Sequence, residues 1–64
     1  MERVSLSVAR EAERRHVTGM SRTQWWRLER QGKAPKRIML GENSVGWLRG
    51  ELDEWLLTKA NERE

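Results

Sequence analysis

The stretch TGMSRTQWWRLERQGKAP, residues 18–35, contains the signals for a short helix with a defined start. Ser21 is a favoured N-cap residue, and Gln24 three positions later completes the pattern of a capping box. Met20 and Trp25 flank this start with the spacing of a hydrophobic staple. These side chains predict that a helix begins at the residue after Ser21.

Glycine marks both the end of this helix and the turn before it. Gly32, with Pro35 three residues later, is a stop signal, so the helix is expected to cover about residues 22–31. Gly19 supplies the positive φ that a chain needs to leave one helix and turn sharply into another. The sequence therefore predicts two helices joined by a tight turn.

The predicted second helix has a buried side and a basic side. On a helical wheel, Trp25 and Leu28 point in one direction. The opposite side carries Arg22, Thr23, Trp26, Arg27 and Arg30. Such a face is either a solvated helix surface or a contact surface for a polyanion. Trp26 either packs against a neighbouring element or stays exposed, while Gln24 is expected to serve the cap.

Weaker signals precede this stretch. A first helix is expected to start with Ser5 or Ser7 as its N-cap and to run to about His16. The thin apolar stripe of this helix consists of Val8, Ala9, Ala12 and Val17.

Beyond the second helix the apolar pattern changes to a period of two. Ile38 and Leu40 alternate before the turn-forming residues 41–44, and Val45 and Trp47 alternate after them. This pattern predicts a short β-hairpin whose four apolar side chains face the helices.

A third helix is expected after the hairpin. Gly50 is a permitted N-cap, and the acidic residues that follow it favour the positive end of a helix dipole. Leu52, Trp55 and Leu56 form the core stripe of this helix.

The length and composition fit one small domain over residues 1–64, with frayed ends at 1–6 and 60–64. The chain has no cysteine and one histidine, so disulfides and zinc are not expected, and no cofactor is indicated. Because no nucleophile has a neighbouring base, an enzyme is not expected. No apolar run approaches the roughly 20 residues of a membrane span, and residues 1–10 lack the apolar core of a signal peptide. A cytoplasmic location without a membrane partner is therefore expected.

The net charge of +3 hides an uneven distribution. Residues 21–37 carry six basic residues against Glu29 alone, which gives +5, whereas residues 38–64 have a net charge of −3. Glu29 is expected to pair with Lys33, four positions further on. A basic segment beside an acidic one indicates that the middle of the chain meets a polyanion.

The order helix, tight turn, helix, hairpin, helix is that of a winged helix-turn-helix, a mostly α fold with a small β-hairpin. Within it, residues 18–56 resemble the AlpA family of small prophage-type regulators. The resemblance rests on TG-x-S at the turn, a basic second helix, G-K-x-P after it, a hairpin ending in G-W and a tryptophan in the last helix. A more distant similarity extends to MerR-type regulators and phage excisionases, which share a glutamate and a glycine at the positions of Glu29 and Gly32.

The chain departs from the AlpA pattern in two places. Family members have basic residues in the hairpin turn and in the first strand, where this chain has Glu42, Asn43 and Met39. Contact between this hairpin and phosphates is therefore left open. The first helix also carries Arg14 and Arg15 where the family is apolar.

The resemblance implies a sequence-specific DNA-binding regulator of transcription whose second helix enters the major groove. The residues that it implies for DNA contact are Arg22, Thr23, Trp26, Arg27 and Arg30, and the candidate set also includes Ser21, Lys33, Lys36 and Arg37. Arg22 and Thr23 can reach base edges, whereas the later basic residues hold phosphates. Since one recognition helix covers only a few base pairs, two or more copies are expected to bind double-stranded DNA together.

Two alternatives stay open for the function. An excisionase-type factor that directs a recombinase is similar in sequence. A protein-interaction module would instead bind a recombinase or another regulator through the acidic third helix or the exposed tryptophans.

Overall fold

The computed structural model describes residues 6–63. Its elements follow in the order β1 (Val8–Ala9), α1 (Glu11–Thr18), α2 (Arg22–Arg30), β2 (Ile38–Met39), β3 (Val45–Leu48) and α3 (Arg49–Asn61). Three helices and a small antiparallel sheet make up the predicted winged helix-turn-helix. Within residues 6–63, no helix combines the length and the apolar content needed to cross a bilayer.

The turn between α1 and α2 forms as predicted. Gly19 has a φ of 71°, and its N–H donates to the Arg15 carbonyl at 2.8 Å, which ends α1. The N–H of Met20 donates to the Thr18 hydroxyl oxygen at 3.2 Å. The turn is thus closed by local hydrogen bonds.

The start of α2 confirms the capping box. The Gln24 N–H donates to Ser21 Oγ at 3.2 Å, and the Ser21 N–H donates to Gln24 Oε1 at 3.2 Å. These two bonds satisfy backbone donors that the first turn of a helix leaves open. Gln24 is therefore a capping residue.

The end of α2 is closed by a Schellman motif. The Lys33 N–H donates to the Leu28 carbonyl at 2.9 Å, and the Gly32 N–H donates to the Glu29 carbonyl at 3.1 Å. Gly32 has a φ of 74°, a conformation that glycine adopts without strain. Both ends of α2 therefore lie within one residue of the sequence prediction.

The segment before α1 is a strand, so the prediction of a helix starting after Ser7 is wrong. Val8 lies opposite Leu48 of β3, and Ala9 lies opposite Trp47. This pairing satisfies the backbone groups of β1 and buries Ala9 completely, which outweighs the local tendency to form a helix.

The first helix consequently starts at Glu11. The alternative N-cap, Ser5, lies outside the described residues. The predicted apolar stripe is also wrong in part, because Val8 is 42% exposed in the strand and Ala12 is exposed on α1.

The sheet has the order β1-β3-β2, with β3 in the centre. Ile38 lies opposite Gly46, which confirms the hairpin. Trp47 is buried and Val45 half-buried, as predicted. Ile38 and Leu40 are 37% and 45% exposed, contrary to the prediction that they face the helices, because β2 contacts mainly β3.

The close approach of β1 to β3 requires glycine at position 46. A Cβ there would lie 2.6 Å from Val8 Cγ1, 3.1 Å from Leu40 Cδ1 and 3.2 Å from the Ala9 carbonyl oxygen. Gly46→Ala is expected to lower the free energy of unfolding by about 1–3 kcal/mol in urea denaturation, because the sheet must shift to admit the methyl group. Gly41→Ala is the matched control, since a Cβ at Gly41 has no atom within 4 Å. Equal stability of the two variants would contradict this packing.

The third helix begins at Arg49, two residues earlier than an N-cap at Gly50 predicts, and no side chain caps it. Its first N–H donates instead to the Ser7 carbonyl at 2.7 Å, so the chain leading into β1 provides the cap. The Arg49 side chain binds Asp53 in α3 and Glu13 in α1. The hydrogen bond to Asp53, with a smaller contribution from Glu13, raises the pKa of Arg49 above its ordinary value.

The core is small and rich in tryptophan. Its buried hydrophobic residues are Ala9, Trp25, Trp47 and Leu52. The partly buried residues around them are Val17, Met20, Leu28, Ala34, Val45 and Trp55. Trp25 and Trp55 meet edge to face, with ring centroids 4.9 Å apart. Leu56 was expected in this core but is 41% exposed on α3.

A charged side chain completes the core. Arg14 of α1 is fully buried, and its Cζ lies 5.3 Å from the ring centroid of Trp25 and 5.7 Å from that of Trp47. Its guanidinium pairs with Glu11 and donates to the Met20 carbonyl at 2.8 Å. Arg14 therefore occupies a core position, and this explains why an apolar residue is expected there from the resemblance to the AlpA family.

Candidate nucleic-acid interface

The second helix presents its basic face to solvent, as predicted. Arg22, Thr23, Arg27 and Arg30 are all exposed. Ser21, directly before them, is engaged in the capping box.

Trp26 is exposed at the centre of this face. Its exposed fraction is 47%, so the alternative in which it packs against another element is wrong. The Arg30 Cζ lies 4.8 Å from the ring centroid of Trp26, a cation–π contact that keeps the two side chains together. Arg22, Trp26 and Arg30 are four residues apart and form one stripe along α2.

A cleft lies between α2 and the segment that leads into β2; we call it the α2 cleft. One depression of this cleft, with a volume of ≈ 430 Å³, is lined by Arg22, Thr23, Trp26 and Arg37. A second depression, of ≈ 280 Å³, is lined by Trp26, Glu29, Arg30, Lys36 and Arg37. Trp26 and Arg37 line both depressions, so the two adjoin.

The basic residues of this surface are mostly without acidic partners. Of the six in residues 21–37, only Arg37 forms an ion pair within the described part of the chain, with Glu29 at 2.9 Å. The unneutralised charges give this side of the protein a positive potential, which attracts anions.

Three of the predicted contact residues, Ser21, Arg27 and Lys33, do not line the α2 cleft. Lys33 lines a different groove, of ≈ 350 Å³, together with Glu51, Glu54 and Trp55. Its carbonyl accepts a hydrogen bond from Trp55 Nε1 at 3.0 Å. Arg27 is exposed on α2 but lines neither depression of the cleft. The structure therefore brings together Arg22, Thr23, Trp26, Arg30, Lys36 and Arg37.

Glu29 does not pair with Lys33, contrary to the sequence prediction. It is 6% exposed; its Oε1 accepts from Arg37 Nε at 2.9 Å, and its Oε2 accepts from Trp47 Nε1 at 2.8 Å. The helical wheel contained a signal for this burial, since Glu29 lies one turn after the buried Trp25.

The hairpin turn adds no cationic group to this surface. Glu42 and Asn43 are exposed, and Met39 of β2 is 64% exposed. Within residues 6–63, no group of acidic and histidine side chains is arranged to hold a metal ion. The exposed arginines and Trp26 on the outward side of α2, which we call the α2 face, can bind anionic and planar groups.

A capped basic helix after a tight turn, followed by a β-hairpin, defines a winged helix-turn-helix protein. A family model described as "Prophage CP4-57 regulatory protein (AlpA)" matches residues 7–60. The chain belongs to this AlpA family of prophage regulatory proteins.

Two curated relatives share part of the sequence. "Uncharacterized protein ORF88" of Enterobacteria phage P4 is 37% identical over 41 residues, which are 64% of this chain and 47% of that protein. "DNA-binding transcriptional activator AlpA" of Escherichia coli (strain K12) is 64% identical over 22 residues, which are 34% of this chain and 31% of that protein. The chain thus spans half or less of the length of these relatives.

Proposed function

We propose that this protein is a sequence-specific DNA-binding regulator of transcription whose α2 enters the major groove. The observation that carries the proposal is the α2 face. There, arginines without acidic partners lie beside the exposed indole of Trp26, on a helix that is capped at both ends. DNA is the matching partner, because its phosphates attract cations and its guanine edges accept paired hydrogen bonds from arginine. Membership of the AlpA family and the name of the Escherichia coli relative support the proposal. Such a regulator acts in the cytoplasm, the compartment expected from the sequence.

The residues of the face take different roles in this proposal. Arg22 and Thr23, in the first turn of α2, reach base edges, and Trp26 contacts a thymine methyl group or the sugar. The phosphate-binding residues are Arg27, Arg30, Lys33, Lys36 and Arg37, with Ser21 at the helix start. Because one α2 covers only a few base pairs, we expect two or more copies on adjacent sites.

Two neighbouring functions would use the same molecule differently. An excisionase-type factor would bind through the same α2 face but beside a recombination site instead of a promoter. A recombinase or another regulator would dock on the groove of Glu51 and Glu54, whose carboxylates have no ion pair within the described residues. Selecting bound fragments from host genomic DNA distinguishes the transcription regulator from the excisionase-type factor, because the first binds at promoters and the second beside recombination sites.

Replacing Arg22 and Arg27 together with alanine tests the proposed DNA contact. We expect the affinity for a selected DNA fragment to fall about a hundredfold in a gel-shift titration, because a base contact and a phosphate contact are both lost. The unmodified protein should show a slope of log affinity against log salt of about −4 to −5, as for about five neutralised phosphates.

The control for this experiment also removes two positive charges, but from a part of the protein away from α2. Lys59 and Arg63 are exposed near the end of α3, and their double alanine variant should bind DNA nearly as tightly as the unmodified protein. If the Arg22 and Arg27 variant also keeps its affinity, α2 is not the DNA-binding element.

A further inference from the structure

Glu29 is a buried carboxylate in the middle of a strongly basic surface. Both of its oxygens are used: Oε2 accepts the indole N–H of Trp47 at 2.8 Å, and Oε1 accepts the Nε–H of Arg37 at 2.9 Å. A buried charge persists only when it is paired and hydrogen-bonded, and these two donors meet that requirement. Glu29 therefore joins the protein core to one arginine of the α2 cleft.

The Nε of Arg37 is bound within the protein, whereas its two terminal nitrogens are available to a ligand. Its Nε is bound to Glu29, and its Cζ lies 5.7 Å from the ring centroid of Trp47. Its side chain is 33% exposed, and the structure gives its two terminal nitrogens no hydrogen bond to residues 6–63. The guanidinium plane is thus fixed before any ligand arrives, with its outer donors free.

The free side of Arg37 lies in the α2 cleft. Arg37 lines the depression formed with Arg22, Thr23 and Trp26, and also the depression that contains Lys36. An arginine with a fixed plane can donate two parallel hydrogen bonds to a phosphate, and fixing it in advance reduces the entropy lost on binding.

We propose that Glu29 is a positioning residue that orients Arg37 to grip one DNA backbone phosphate in the α2 cleft. This inference rests on the proposed function, because it assigns one phosphate contact of the same surface. Glu29 itself does not touch DNA. Its two oxygens are occupied by Trp47 and Arg37, and what it adds to the surface is the orientation of Arg37.

The variant Glu29→Gln separates orientation from charge. The glutamine oxygen can still accept from Trp47 Nε1, whereas its amide N–H₂ then faces the Nε–H of Arg37, so that two donors meet. The variant is one unit more positive, and general electrostatics alone would make it bind DNA more tightly. Loss of orientation predicts the opposite: affinity about tenfold lower and a salt slope about 0.9 shallower, as for one lost phosphate.

Three further proteins complete the experiment. Arg37→Ala should lose affinity and slope to the same extent, and adding Glu29→Gln to it should cause no further loss, because Glu29 acts through Arg37. Glu54→Gln, which removes a carboxylate from an exposed site on α3, should leave both quantities nearly unchanged.

A measurement without DNA guards against a folding defect. In the unmodified protein the Arg37 Nε–H should exchange slowly with water in NMR spectra, and in a folded Glu29→Gln variant it should exchange fast. Should Glu29→Gln unfold, Arg37→Lys tests whether the phosphate contact needs an oriented guanidinium, because lysine keeps the charge but lacks the bidentate fork; its affinity for DNA should fall about tenfold, and unchanged affinity would overturn the inference.

The outcomes for the inference and for the proposed function can be told apart. If the unmodified protein shows no salt-dependent DNA binding, the proposed function is overturned and the inference with it. If the unmodified protein binds DNA and depends on Arg22 and Arg27, but the folded Glu29→Gln variant binds as tightly or more tightly with the same salt slope, only the inference is overturned.

Discussion

Replacing Arg14 with alanine is expected to lower the free energy of unfolding by about 3–5 kcal/mol, most of the stability that a domain of this size has. The guanidinium lies within cation–π distance of both Trp25 and Trp47, and the residue is not exposed to solvent. Its Nη1 also donates to Thr18 Oγ1 at 3.2 Å and to the Met20 carbonyl at 2.8 Å. Alanine removes these donors and leaves a cavity beside two indoles. Urea denaturation followed by tryptophan fluorescence measures the change.

Two variants make the cause of this loss visible. Arg15→Ala, at the next and exposed position of α1, should change the stability by less than about 0.5 kcal/mol. Arg14→Lys keeps the positive charge but lacks the planar group that contacts both rings, so it should fall between alanine and the unmodified protein. If Arg14→Ala unfolded at the same urea concentration as the unmodified protein, its role in the core would be refuted.

Trp47→Ala is expected to cost a similar amount, about 3–5 kcal/mol. The indole is 2% exposed at the centre of the sheet, and its N–H is one of the two hydrogen-bond donors to the buried Glu29. Alanine therefore creates a large cavity and also leaves a buried carboxylate oxygen without its partner. Thermal and chemical unfolding both report the loss.

A comparison of two phenylalanine variants isolates the hydrogen bond from the packing. The N–H of Trp25 is buried and has no partner among residues 6–63, so Trp25→Phe loses no hydrogen bond. Trp47→Phe loses the bond to Glu29, which should cost about 1–3 kcal/mol more than the change at Trp25. Equal destabilisation in the two variants would argue against the bond.

The second helix and the turn before it could be predicted because their signals are local. Ser21, Gln24 and Gly32 act on backbone groups within a few residues, and the structure places each in its expected cap. The strand β1 could not be predicted in this way. Val8 and Ala9 form a strand because they pair with Leu48 and Trp47 of β3, almost forty residues later in the sequence. A strand of two residues is also too short to show a periodic pattern.

The exposed residues of the candidate site could be predicted from the sequence, but the buried contacts beneath them could not. The wheel separates the outward arginines from the buried Trp25, and the structure agrees. Glu29 was expected to pair locally with Lys33, and no sequence signal marked Arg14 as buried, since charged residues are almost never fully buried unless paired. Both side chains also contact Trp47, which is far away in the sequence: Arg14 lies against its ring, and Glu29 accepts its indole N–H. Such contacts depend on the assembled fold.

The caps that close α2 have a consequence for how proteins of this kind diversify. Ser21, Gln24 and Gly32 hold the helix ends with their own atoms and the backbone, and the outward side chains take no part in these bonds. Exposed positions such as 22 and 27 can therefore change with little effect on folding. Under the proposed function, selection or laboratory engineering can change the preferred DNA sequence by exchanging an outward residue such as Arg22 while the caps of α2 stay the same.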